Sequence, residues 1–129
     1  MNKIFNWFGR NWRISWIITI AIGIFIYYIS SLQFGTGSGG TGSINATLYH
    51  IIVFVFFAMF LEISLSRGRS KIGIIAGLIV AFLYAISDEW HQSFVPGRDS
   101  SFKDILLDSL GIIIGSVIYS ANLDRKHFK

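Results

Sequence analysis

Residues 46–65 read ATLYHIIVFVFFAMFLEISL, and the nine positions from Val53 to Leu61 hold four phenylalanines and no charge. At 1.5 Å per residue, a helix of this length covers about 30 Å, the thickness of a bilayer's hydrocarbon core. Three further apolar runs flank it, giving expected spans at about 14–32, 46–65, 71–92 and 103–121. The first two runs are long enough outright. The apolar parts of the last two, Ile72–Ile86 and about Ile105–Tyr119, are shorter and need a polar turn at one end to complete a crossing. A soluble four-helix bundle would need charged outer faces, which these helices lack. The fold class is therefore an all-α membrane protein, a four-transmembrane-helix bundle forming a single domain over residues 1–129.

Composition agrees. Of 129 residues, 53% are apolar and only 14% charged, against about 25% charged in an average soluble domain. With no cysteine, disulfides and thiolate metal sites are excluded. The pI near 9.6 does not point to nucleic acid, because the basic residues sit where they mark topology. Lys3, Arg10 and Arg13 precede the first span, Arg67, Arg69 and Lys71 join the second to the third, and Arg125, Lys126 and Lys129 end the chain. All three clusters fall on one side, which reads as the cytoplasm and places both termini there. The first span reads as an uncleaved signal anchor, since no A-x-A-like site follows it. Trp7, Trp12 and Trp16 then mark the inner boundary, and the Gly/Ser/Thr-rich loop at 33–45 is a flexible outer connection. Asn45-Ala46-Thr47 fits a glycosylation acceptor but lies too close to the second span to be used.

The chemistry lies in the second outer segment. Residues 88–108 read DEWHQSFVPGRDSSFKDILLD and hold five of the seven acids, opposed by Arg98 and Lys103 alone. His50 starts the second span at the same level, while Glu62 lies on the inner side within reach of Arg67, Arg69 or Arg125. Steps of three and four on the third helix connect Gly73, Gly77, Ala81, Tyr84, Asp88 and His91. On the fourth helix they connect Asp104, Asp108, Gly111 and Gly115. Gly-xxx-Gly lets backbones approach closely. The two stripes are thus expected to face each other or the bundle axis, with Asp88, His91, Asp104 and Asp108 around one outward-opening space. Glu89 is then turned roughly 100° away. Acids at this depth must face the interior, a water-filled cavity or a partner.

The run from Tyr84 to Gly115, YAISDEWHQSFVPGRDSSFKDILLDSLGIIIG, resembles the signature of the VanZ-like family of small membrane proteins. The matching positions are Asp88, Glu89, His91, Gln92, Phe94, Pro96, Gly97, Arg98, Asp104, Gly111 and Gly115, and His50 resembles the family's histidine at the start of its second helix. Thr47, Leu48 and Tyr49 stand where family members often carry an acid and a lysine, and Asp108 replaces a common Asn. The added charge favours cations over anions. The resemblance implies a cell-membrane protein of the envelope, in a family named for an association with teicoplanin resistance.

Three chemistries fit these residues. The first is an enzyme acting on an envelope lipid or lipid-linked glycan headgroup, with Asp88 or Asp104 as base and His91 as proton shuttle. Glu89, Trp90, Gln92, Arg98 and Asp108 would bind substrate, Arg98 clamping a phosphate or carboxylate. A divalent metal would sit among His50, Asp88, His91 and Asp104. The second is a non-catalytic binder of a lipid-linked precursor or a glycopeptide, or a scaffold whose acids Arg98 and Lys103 neutralise as a structural lock. The third is an ion-coupled transporter, which would need a homo-oligomer because the polar groups stop at the outer end.

Overall fold

The computed structural model describes residues 3–33, 44–98 and 100–123. All regular structure in them is helical: α1 (Lys3–Arg10), α2 (Trp12–Ser30), α3 (Ile44–Ser66), α4 (Lys71–Gln92) and α5 (Phe102–Ala121). Four of these, α2 to α5, are long and apolar enough to cross a membrane, where only a helix satisfies its backbone groups within one segment. Residues 34–43 of the expected flexible loop lie outside the described residues, as do Asp99 and the basic tail 124–129.

The helices alternate in direction. Ser30 of α2, His50 of α3, Asp88 of α4 and Asp108 of α5 meet at one end. Ser64, Ser66 and Thr19 meet Tyr119 and the α3–α4 turn at the other, basic end. The described chain thus starts and finishes at the same end. Ser70 caps α4 by accepting from Gly73 N at 3.1 Å, and Ser101 caps α5 by accepting from Lys103 N at 3.1 Å.

α3 occupies the centre, packing against α5 most extensively and then against α4 and α2. Its Phe54, Phe57, Ala58 and Leu61 form the core with Ile26, Ala81, Ala85 and Ile112. The other spans turn isoleucines, leucines and valines outward, among them Ile20, Ile24, Ile75, Ile79, Leu83, Ile113 and Val117. This inverts the pattern of a soluble bundle and suits lipid on the outside.

Of the two expected arrangements, the glycine stripes take the second: they face the bundle axis, which α3 occupies, and not each other. A Cβ on Gly73 would lie 2.5 Å from the Ser66 Cα, and one on Gly77 would lie 2.7 Å from the Glu62 Cγ. Cβ atoms on Gly111 and Gly115 would overlap the carbonyl oxygens of Ile51 and Val55. Both stripes are grooves for the same central helix, whose bulky phenylalanines hold off its neighbours wherever glycine does not admit its backbone.

Two details of the basic end depart from the sequence reading. Glu62 is fully buried and accepts a hydrogen bond from Ser116 Oγ, instead of pairing with Arg67 or Arg69. Arg67 stacks over Trp12, 4.1 Å from the ring centroid. Trp16 packs against the core. The separate α1 was not foreseen. It lays Phe8 on Phe60 and Phe5 on Tyr119, leaves Ile4 and Trp7 exposed, and accepts from Ser15 Oγ at Phe8 O.

Candidate functional site at the His50 end

Two separate polar groups occupy this end of the bundle. The first joins α3, α4 and α5. His50 Nδ1 lies 2.8 Å from Asp108 Oδ1, an arrangement that leaves Nε2 as the ring nitrogen open to a ligand. One donor atom each from His50, Glu89 and Asp104 lie within 4.8 Å of one another, and all three residues are buried. Three donors spread evenly around one ion at about 2.1 Å lie about 3.4–3.6 Å apart, so closing on a metal needs each donor to move by up to about 0.7 Å. Glu89 Oε2 accepts from the Ser101 backbone N–H at 3.1 Å. Glu89 Oε1 and Asp108 Oδ2 are buried with no hydrogen-bond partner.

The second group ties α4 to α2. Asp88 Oδ2 accepts from Ser30 Oγ and from Gln92 Nε2, both at 2.9 Å. Gln92 Oε1 accepts from Arg98 Nη1 at 3.0 Å. The same guanidinium donates to the carbonyls of Ile29 at 2.5 Å and Leu32 at 3.3 Å. Those carbonyls lie at the C-terminal end of α2, where helix acceptors are left over and the macrodipole is negative. Arg98 therefore serves as a cap for α2, with its fork turned to this chain's own backbone. His91 stacks on Tyr27, 4.6 Å between centroids, and its Nε2 lies 3.0 Å from Ser31 Oγ.

The single space expected around Asp88, His91, Asp104 and Asp108 is thus divided in two. Of the metal set expected as His50, Asp88, His91 and Asp104, His50 and Asp104 group with Glu89, while Asp88 and His91 lie in the second group. The cause is a matter of helical phase. The stripe buried on α4 runs Gly73, Gly77, Ala81, Ala85, Glu89 in strict steps of four, whereas the expected path left it at Tyr84 and so reached Asp88 and His91. Four small residues at a four-residue interval were the available signal for Glu89. On α5 the expected face holds, with Asp104, Asp108, Gly111 and Gly115 all buried.

The remaining candidates fall outside both groups. Trp90 and Phe94 are each 70% exposed and pack edge to face at 5.8 Å, as an aromatic anchor at a membrane interface would. Lys103 is exposed. With Lys103 turned to solvent and Arg98 engaged at the end of α2, the bases expected to neutralise the acids leave Glu89, Asp104 and Asp108 to His50. Ser30, Ser31, Tyr27 and Ser101 complete the two groups, and no pattern in the sequence singled them out.

Four apolar spans define a multi-pass membrane protein, with a histidine–carboxylate group buried at one end of the bundle. Residues 3–123 match the family model described as VanZ/LLP1, and the chain belongs to the VanZ/LLP1 family. No curated protein and no solved structure matches the chain significantly.

Proposed function

We propose that His50, Glu89 and Asp104 hold a divalent cation at the extracytoplasmic surface, and that this site hydrolyses the phosphate-bearing headgroup of an envelope lipid or lipid-linked glycan. The observation carrying this reading is the first polar group itself. Three carboxylates and a histidine are almost withdrawn from solvent, and two of their oxygens lack any donor. Buried anions left unpaired are costly, and a cation bound to Glu89, with Asp108 behind the His50 ring, lowers that cost. His and carboxylate donors suit Mn, Fe or Zn.

Each residue then has a role. Asp108 fixes the His50 ring and tautomer, as outer-shell carboxylates do for metal-binding histidines. When bound, the cation supplies Lewis-acid activation of the phosphate. The Asp104 oxygen not bound to the cation takes one proton from the attacking water as the water oxygen bonds to phosphorus. The ester P–O bond breaks, and the leaving oxygen receives that proton from Asp104. Asp88, Gln92 and Arg98 are positioning residues that hold the α4–α5 turn against α2, so the structural-lock reading applies to them. A teicoplanin phenotype would be secondary to this chemistry.

Purified protein is expected to release headgroup from a polyprenyl-phosphate- or polyprenyl-diphosphate-linked sugar, to stop on chelation and to recover on adding Mn²⁺ or Zn²⁺. Release that persists through chelation, or that Glu89→Gln leaves unchanged, would overturn the mechanism.

Orientation rests on the basic residues at the opposite end, which favour the cytoplasm. Ser93 is exposed beside the site, and the chain has no cysteine, so Ser93→Cys gives a clean single label. It is expected to react with an impermeant maleimide on intact cells. Labelling only after lysis would place the site inside.

A further inference from the structure

A recess of about 560 Å³ lies between α2 and α3, lined by apolar side chains and one tyrosine, among them Ile17, Ala21, Phe25, Tyr49, Ile52 and Phe56. On α2 it extends from Ile17 to Phe25, and on α3 from Tyr49 to Phe56, or about 10–12 Å along either axis. The two helices are antiparallel, so Phe25 and Tyr49 mark one end together, with ring centroids 6.4 Å apart. That is the His50 end: the Tyr49 and His50 rings pack at 5.5 Å. The recess therefore runs from the level of the polar site towards the membrane centre.

We propose that this groove holds the hydrocarbon chain of the same lipid whose phosphate is bound beside His50. The inference rests on the proposed function and identifies its substrate as a membrane-resident lipid that stays partly in the bilayer while its headgroup reacts. Within a membrane, lipid tails are as apolar as leucine, so a groove gains nothing from hydrophobicity alone. Its selectivity comes from shape and close contact, once the headgroup has fixed where the chain begins.

A second observation points the same way. Tyr49 Oη is buried and has no hydrogen-bond partner, and the Tyr49 ring packs edge to face on that of His50. Helical side chains lean towards their own N-terminus, which for α3 is the His50 end. A lone hydroxyl where an apolar groove meets a polar site lies where a lipid's first phosphate oxygen would pass. Tyr49 is thereby assigned to the junction of chain and headgroup.

The test uses the full chain in phosphatidylcholine vesicles with a polyprenyl phosphate bearing a diazirine in an isoprene unit near the phosphate. Crosslinks are expected in residues 17–25 and 49–56, suppressed about tenfold, or 1.4 kcal/mol, by excess unlabelled polyprenyl phosphate but not by polyprenol. Ala21→Trp, at an exposed position that tolerates a large side chain, should block labelling by a similar factor. Tyr49→Phe should weaken competition by the phosphate while leaving thermal stability unchanged or raised, because it removes an unsatisfied hydroxyl. Labelling spread over all four spans, or competed equally by polyprenol, overturns the proposal. So does an intermolecular disulfide from Ile52→Cys that accompanies loss of labelling, which would make a second copy the occupant. Headgroup release without groove labelling refutes the groove alone. Competed labelling without release from any lipid-linked sugar refutes hydrolysis and leaves the groove standing.

Discussion

Glu89→Gln and Asp104→Asn should each weaken divalent-metal binding by about a hundredfold or more, because loss of an outer partner alone costs about 10–100-fold. Asp108→Asn should fall within that smaller range, since it touches the cation only through the His50 ring. Asp88→Asn makes the contrast. Its carboxylate accepts from Ser30 and Gln92, so the change should leave metal affinity alone and lower stability by about 1.5–3 kcal/mol, the worth of charge-assisted hydrogen bonds. Titration calorimetry with Mn²⁺ and Zn²⁺ in detergent, paired with thermal unfolding in chelator, separates the two. Metal at a hundred times its Kd should stabilise the wild type by about 2.7 kcal/mol and Glu89→Gln hardly at all. In chelator the order should reverse, Glu89→Gln unfolding above the wild type because it no longer buries a carboxylate with one oxygen unpaired. If instead Asp88→Asn abolished binding and Glu89→Gln kept it, the grouping of Asp88 with His91 and Asp104 would be restored.

Gly115→Ala is expected to destabilise the bundle by about 1–3 kcal/mol, the usual cost of forcing one extra carbon into a packed interior. The cost should sit at the upper end of that range. The added Cβ meets the Val55 carbonyl, which is backbone and cannot rotate aside, so α5 must separate from α3 along its length. Gly111→Ala meets the Ile51 carbonyl in the same way. The control is Ile113→Ala on the same helix: its side chain is 50% exposed, and its loss should cost much less. Unfolding in increasing denaturing detergent would compare the three. Equal stability of Gly115→Ala and wild type would mean that α3 and α5 do not approach as described.

The spans were legible because apolar runs near twenty residues admit few other readings. The third expected span, 71–92, has the bounds of α4, and the first differs from α2 by two residues at either end. The chemistry was legible as a neighbourhood: His50, Asp104 and Asp108 do meet. What the sequence left open was rotation. Steps of three and four can drift around a helix, and at Ala81 the choice between Tyr84 and Ala85 decides whether Asp88 or Glu89 turns to α3. Small residues settle that choice, because only they fit against another backbone. The partners of Arg98 were hidden for a different reason. A guanidinium beside acids looks like an anion clamp until the free carbonyls at the end of α2, some 66 residues distant along the chain, are brought beside it.

The central place of α3 sets an order on how the protein is made. Its largest interface is with α5, which is made after the other three spans, and α4 must be inserted in between. Until then His50 lacks Asp108 and Glu62 lacks Ser116, so the nascent chain carries polar groups in the membrane with no partners. Contacts so distant in sequence form late. The His50–Glu89–Asp104 group therefore comes into existence only once α5 has joined the bundle, and a chain interrupted before it leaves the α5 face of α3 uncovered.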